Sequence, residues 1–441
     1  MNKIREKIAS IQLTQLQIYL ICFFVLTRLT ILLFYDAYIT DVAFYLDIAK
    51  QGLNTKAHAY QDFSFGYPPL ALLFVYLPAW FSNFEFWNYW RLFRIQMFII
   101  DLALFAGIFY FLINHLKIIP QKLILFIAIY CLVGFLQGHL LYDRLDLLIE
   151  AALFSLFYAF NRNPGNRWLL RSLSLIGMFI KFVPFLYALL LNLINRLREA
   201  KPSKSTPLSQ LLILLKAGIS ELLLLIIPFI LFISVYELTI AGGVFKDLNM
   251  HFQRGIQIES IWATPVLINK LIVNNPKSLV INNFGAQHID DSQVPSWYLD
   301  FSKLTGIIIL SFFGLYFFIK LRTQLKLTPS QIVPMAKLSG GIWLVLFCIF
   351  LSTQRVLSPQ FFIWIMIPIS LLLALSFDWF LFILAILTYT LTYIGFDIGY
   401  WDFVNGNRFF ILIVSLRNLS LVLLTYASLR HLKKSSIYSV N

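Results

Sequence analysis

A few ionisable groups stand out because of what surrounds them. Asp41 lies in DAYITDVAFYLDIAKQGLNTKAHAYQDFSFGYPPL (36–70), a polar run carrying Asp36, Asp41, Asp47 and Asp62 between strongly apolar segments. Lys181 precedes Val183-Pro184 inside an apolar run, and Arg254 sits in HFQRGIQIES (251–260) with His251 and Glu259. Arg355 sits in STQRVLSPQFF (352–362), between two further apolar segments. A carboxylate that takes a proton and cations that hold an anion are the two halves of a group transfer from a phosphorylated donor. Arginine suits the second role because its planar fork meets a phosphate with two parallel hydrogen bonds.

Plainer readings stand beside these. Lys181 and Arg355 could be interfacial anchors whose charges snorkel to the headgroups, and 251–260 could be a salt-bridged surface loop. Against this, Ile256, Ile258 and Trp262 make the second loop apolar enough to pack on a bundle, and ionisable groups at membrane depth are costly enough to be functional candidates.

The elements that must position these groups are membrane helices. Hydrophobic residues make up 59% of the 441 and charged residues only 13%, so too little polar surface remains to cover a soluble globule. Apolar runs of helical length favour an all-α, polytopic membrane bundle over a barrel. The net charge of +14 does not point to nucleic acid, because its distribution has a topological explanation. Basic residues gather at Lys3, Arg5 and Lys7, Lys117 and Lys122, Arg162 to Arg171, Arg196 to Lys204, Lys320 to Lys326, and Arg430 to Lys434. Acids gather in the alternate junctions, at Asp36 to Asp62, Asp143 and Asp146, Glu237 to Asp300, and Asp397 and Asp402. By the positive-inside rule the first set faces the cytoplasm and the second the exterior.

Spans fit 15–35, 88–113, 123–140, 146–160, 209–236, 301–320, 336–353, 360–376, 378–396 and 408–429. Pro184 splits 168–195 into two short helices that meet near the outer face. The expected total is about twelve spans, in a single domain, 1–441, with both termini cytoplasmic and outer loops at 36–87 and 237–300. In the first loop, Thr40 is read as the N-cap of a short amphipathic juxtamembrane helix lying along the membrane surface. Its apolar face carries Phe44, Tyr45, Ile48 and Gly52, with Asp41 at the edge. The helix dipole favours Asp41 as a carboxylate. Leu70 to Phe81 is too short to cross at about 1.5 Å per residue and reads as a re-entrant or surface-lying piece.

Cys22, Cys131 and Cys348 fall in separate apolar spans, with no disulfide framework and no zinc spacing. Walker, Rossmann and Gly-x-Ser-x-Gly patterns are missing, so a soluble nucleotide site has no support, and no cofactor or metal is expected. His58, Asp62 and His288 lack ligand spacing. Tyr60, Tyr67, Trp262 and Trp297 could stack on sugar rings or belong to an interfacial aromatic belt.

Asp41 followed by Tyr45, then DFSFGYPPLALLF, KFVP, HFQRGIQIES and RVLSPQFFIW, in that order, resembles the GT-C superfamily of lipid-linked-sugar glycosyltransferases, nearest to the bacterial polytopic glycosyltransferase family 87. The resemblance covers nearly the whole chain. It implies Asp41 as the catalytic base, a polyprenyl-phosphate sugar donor, commonly of mannose or arabinose, and attack from the outer side of the membrane on a glycolipid or glycan acceptor. Arg254, Arg355 and Lys181 are then the expected ligands of the donor phosphate, and Tyr45, Tyr67, His251, Glu259 and Gln360 the expected substrate-binding residues. Two positions depart from the family pattern. Gly66 stands where relatives often have Glu before the Tyr-Pro-Pro triplet, and Ala43 removes the Asp-x-Asp form. One base and an in-line leaving group imply inversion at the anomeric carbon. The rival classes are a lipid-linked saccharide flippase and an O-antigen polymerase-like protein; neither accounts for an Asp-led amphipathic helix directly after the first span.

Overall fold

The structure, a computed structural model, describes residues 14–35, 39–163, 165–199, 207–239, 243–273, 280–283, 285–324 and 331–437. Lys3, Arg5, Lys7, Asp36, Lys201, Lys204 and Lys326 lie outside the described residues, as do the side chains of Thr40 and His251. Most of the described residues are helical. In order it forms α1 (Gln15–Phe34), α2 (Ile39–Leu53), α3 (Leu70–Ser82), α4 (Phe86–Tyr110), α5 (Pro120–Phe135), α6 (Asp146–Arg162), α7 (Arg167–Met178), α8 (Pro184–Glu199) and α9 (Pro207–Thr239). There follow α10 (Val244–Gln253), α11 (Ala263–Val273), α12 (Ser296–Gln324), α13 (Ile332–Thr353), α14 (Met366–Leu375), α15 (Trp379–Tyr393), α16 (Tyr400–Val404) and α17 (Arg408–Ile437). Six of the described helical stretches are long and apolar enough to cross a membrane: Gln15–Phe34, Phe86–His115, Lys216–Leu238, Ile332–Thr353, Trp379–Ile398 and Arg408–Lys434. The chain is therefore a multi-pass membrane bundle.

Local chemistry sets the helix ends. Thr14 and Gln17 form a reciprocal capping box at α1. Glu85 caps α4 through the backbone N–H groups of Trp87 and Asn88, and Asp378 caps α15 through those of Phe380 and Leu381. The long run 168–195 does break before Pro184, into α7 and α8. A side chain at Gly177 would meet Pro184 at 2.9 Å, so glycine there lets the two helices fold back against each other.

Two readings of the first loop change. The helix starts at Ile39, so Thr40 falls inside its first turn rather than at its cap. Its buried face is Val42, Tyr45, Leu46, Ile48 and Ala49, while Phe44 points away, 41% exposed. The helix packs on α3 and α4, so tertiary contact sets its face. The second loop also holds a small antiparallel hairpin, β1 (Val280–Asn283) with β2 (Ala286–Ile289), pairing Val280 with Ile289.

The junctions sort into two connected groups. In one, the first loop, the 138–146 turn, the α7–α8 break, the second loop, and the segments 353–365 and 394–403 touch one another. Its links include Leu70 N–Phe179 O at 3.0 Å and Gln257 N–Arg355 O at 2.9 Å, and His139 Nδ1–Asp397 Oδ1 at 2.5 Å. In the other, Arg162 meets His115 at 3.0 Å, Lys122 donates to Leu375 O at 3.3 Å, and Arg430 and Lys434 flank Asp378 at 3.5 Å. The acid-bearing junctions thus converge at one end of the bundle and several of the basic ones at the other.

Candidate active site

Four consecutive residues, Asp143-Arg144-Leu145-Asp146, cross the acid-rich end between the 3-10 turn Gly138–Leu141 and α6. Asp143 accepts from Arg94 through both oxygens, at 2.6 and 2.7 Å, and Arg94 also donates to Tyr35 O at 2.6 Å. Arg144 forms an ion pair with Asp41. Asp146 Oδ1 accepts from Lys181 Nζ and from Trp364 Nε1, both at 2.9 Å. One tetrapeptide therefore ties together α4, α2, the α7–α8 break and the 3-10 segment Pro359–Ile365.

Lys181 is boxed by aromatic rings. Its ammonium lies 4.4 Å from the Phe361 centroid, 4.7 Å from Trp364 and 5.6 Å from Tyr67, close enough for the ring faces to stabilise the charge. Phe361 and Trp364 stack on each other with centroids 4.5 Å apart, which fixes that wall. Tyr67 is the shared neighbour: it acts electrostatically on Tyr45, Arg144 and Arg254. Burial raises the Tyr45 phenol well above its ordinary value, with Tyr67 adding to the rise and Arg144 opposing it, so Tyr45 stays neutral. Burial works against the Arg144 charge, but Asp41 together with Tyr45, Tyr67 and Asp146 more than offsets it and the guanidinium ends above its ordinary value. Asp41 thus helps to keep Arg144 charged.

The second loop is fastened to the first by Asp247, in the opening turn of α10. It accepts from the Ser64 hydroxyl, from Phe65 N at 2.9 Å and from Gly66 N at 2.6 Å. Gly66 has φ +74°, a left-handed conformation that glycine takes without penalty. Tyr60 donates to Tyr67 O at 2.7 Å, so the clamp also sets Tyr67. Arg254, at the end of α10, has Tyr67 and Asp247 as its charge neighbours, which oppose a lowering caused by burial.

The remaining expected site residues fall elsewhere. The acids that act on Arg355 are Asp291 and Asp300 of the second loop, against a lowering by burial; its backbone carbonyl holds Gln257. Gln360 is buried and accepts from Ser358. Glu259 is buried in a cleft lined also by Pro359, Thr392, Phe396, Tyr400, Phe403 and Arg417. Burial pushes its carboxyl up to about 7. Arg417 Nη2 donates to Glu259 O at 2.7 Å, and Asn418 Nδ2 to Ser260 O at 3.1 Å, so this part of the loop is latched to α17. Trp262 donates to Thr353 O at 2.9 Å, and Trp297 is 66% exposed. Among the described residues no group of three or more His, Cys, Asp or Glu is placed to hold a metal.

The structure therefore gathers Asp41, Tyr45, Tyr67 and Lys181, with Arg254 next to Tyr67. Sequence reading missed Arg144, Arg94 and Asp247. Arg144 left a signal, a basic residue between two acids in the mostly apolar stretch 123–160; Asp247 left none, since its partners, the Ser64 hydroxyl and the backbone N–H groups of Phe65 and Gly66, lie some 180 residues away. What the gathered groups offer is a carboxylate, the cations Arg144, Lys181 and Arg254, and the phenols of Tyr45 and Tyr67. No family model matches the chain, and no curated protein matches it.

Proposed function

We propose that this chain is a membrane glycosyltransferase of GT-C type, which moves a hexose or pentose, mannose by the resemblance, from a polyprenyl phosphate to a hydroxyl of a glycolipid or glycan. Asp41 takes the hydroxyl proton as the acceptor oxygen attacks the anomeric carbon. The bond from that carbon to the phosphate oxygen breaks, and the electron pair leaves with the phosphate, whose charge Lys181 and Arg254 stabilise. Attack opposite the leaving group inverts the anomeric centre.

The observation that carries this reading is the meeting of Asp41, Arg144, Tyr67 and Lys181 at the acid-rich end. The positive-inside rule puts that end outside the cell membrane and both termini in the cytoplasm. Adding Pro120–Phe135, Asp146–Arg162, Arg167–Met178, Pro184–Glu199, Ser296–Gln324 and Pro359–Leu375 to the six long spans gives about twelve, with the isoprenoid tail lodged between them. The test is an assay of purified protein with labelled polyprenyl-phosphate sugars. Transfer with inversion is expected; a protein that transfers from none of them, with a panel of glycolipid acceptors, contradicts the reading.

A further inference from the structure

Both charged pairs at the site match a cation with a carboxylate, but the pairs differ in what else holds them. Asp146 is fully buried, takes a second hydrogen bond from Trp364, and faces a lysine boxed by three rings. That pair is held from several sides and stays together, with Lys181 still 20% exposed toward a ligand. Asp41 and Arg144 keep 21% and 12% of their side chains exposed, within reach of a ligand. Among the described residues Arg144 also has a buried Nε with no hydrogen-bond partner, so its fork is only partly engaged by Asp41. A carboxylate gripped by a guanidinium is a poor proton acceptor, because the cation favours its ionised form. A phosphate oxyanion competes for the same fork, with the geometry arginine prefers.

We propose that Arg144 is exchanged between two anions: it pairs with Asp41 while the site is empty of donor and moves to the donor's phosphate on binding, which releases Asp41 to act as the base. No covalent bond changes in this step; one ion pair breaks and another forms. The inference rests on the reading of the site as one for a polyprenyl-phosphate donor. Its consequence is that Asp41 and phosphate are rivals for Arg144. The base is thereby parted from its cation only when there is a donor to react.

A double-mutant cycle on phosphate binding tests this, using a short-chain, sugar-free polyprenyl monophosphate and the full chain in lipid nanodiscs. Asp41→Asn should tighten binding by about tenfold or more, Arg144→Gln should weaken it by a similar factor, and the double variant should bind like Arg144→Gln alone. A gain from Asp41→Asn that persists at full size in the Arg144→Gln background marks a general field effect and overturns the exchange. No gain in either background overturns it as well. If the wild type does not bind the prenyl phosphate at all, the donor reading falls too, which separates the two failures. Should Arg144→Gln not fold, judged by thermal unfolding, Arg144→Lys replaces it. The lysine keeps the charge but loses the fork, and the gain from Asp41→Asn should then shrink by about threefold or more; an undiminished gain counts against the exchange.

Discussion

Gly66 does more for the site than a residue without a side chain would suggest. Its left-handed backbone turns an N–H toward Asp247, and that clamp holds the turn from which Tyr67 reaches Lys181 and Arg254. Gly66→Glu, which puts back the acid often found before Tyr-Pro-Pro in the resembled family, should therefore fail to help. It should cost about 1–2 kcal/mol in backbone strain and set a second carboxylate beside Asp247. The expected outcome is a lower Tm with no rise in sugar transfer; an unchanged Tm contradicts the clamp. Single residues were legible in the sequence as types, not as pairs. Lys181 is legible because charge is costly in an apolar run, and Asp41 because it opens an amphipathic helix in a polar loop, whereas their partners, Asp146 and Arg144, depend on which helices meet.

The element that responds most to conditions is the stretch Gln257–Ala263, latched to α17 by Arg417 and Asn418. Glu259 within it has its carboxyl pushed from an ordinary 4.5 up to about 7 by burial. Folding thus favours its protonated form. The associated stability is fully present below about pH 4.5 and is lost as pH rises through about 7, a change of up to about 3 kcal/mol. Hydrogen exchange of amides 257–263 should accelerate between pH 5 and pH 8 beyond the intrinsic rate in the wild type, and should not in Glu259→Gln. Equal profiles would contradict a buried, titrating Glu259. At this scale the sequence is legible where a proline interrupts an apolar run, as at Pro184. It is not where the element is short. The hairpin 280–289 has strands of four residues, too few for a period to declare itself, and the face of α2 was misplaced around Phe44 because α3 and α4 decide which side is covered.

For the whole molecule, the sorting of acid-rich and base-rich junctions to opposite ends is the feature most legible in composition, since hydropathy and charge placement require no tertiary knowledge. Depth is not legible in the same way. The convergence of Asp143 with Arg94 and of Asp101 with Arg28, at 2.8 Å and wholly buried, follows from packing that no run of residues encodes. Breaking such a buried pair by removing one partner costs about 3–5 kcal/mol, so these pairs hold the helices that carry the site. The orientation has a direct check. With Cys22, Cys131 and Cys348 replaced by alanine, Asn54→Cys at the acid-rich end should react with an impermeant thiol reagent on intact cells. Asn163→Cys, at the other end, should react only after permeabilisation; the opposite pattern would invert the topology. Both positions are exposed.

The central claim is that Asp41 takes the acceptor's proton, and the most direct measurement is single-turnover sugar transfer from a labelled polyprenyl phosphate by wild type and Asp41→Asn. The amide keeps the size of the side chain and loses the basic oxygen, so the rate should fall by about a hundredfold or more while the donor still binds. A variant that transfers sugar as fast as the wild type would contradict the account.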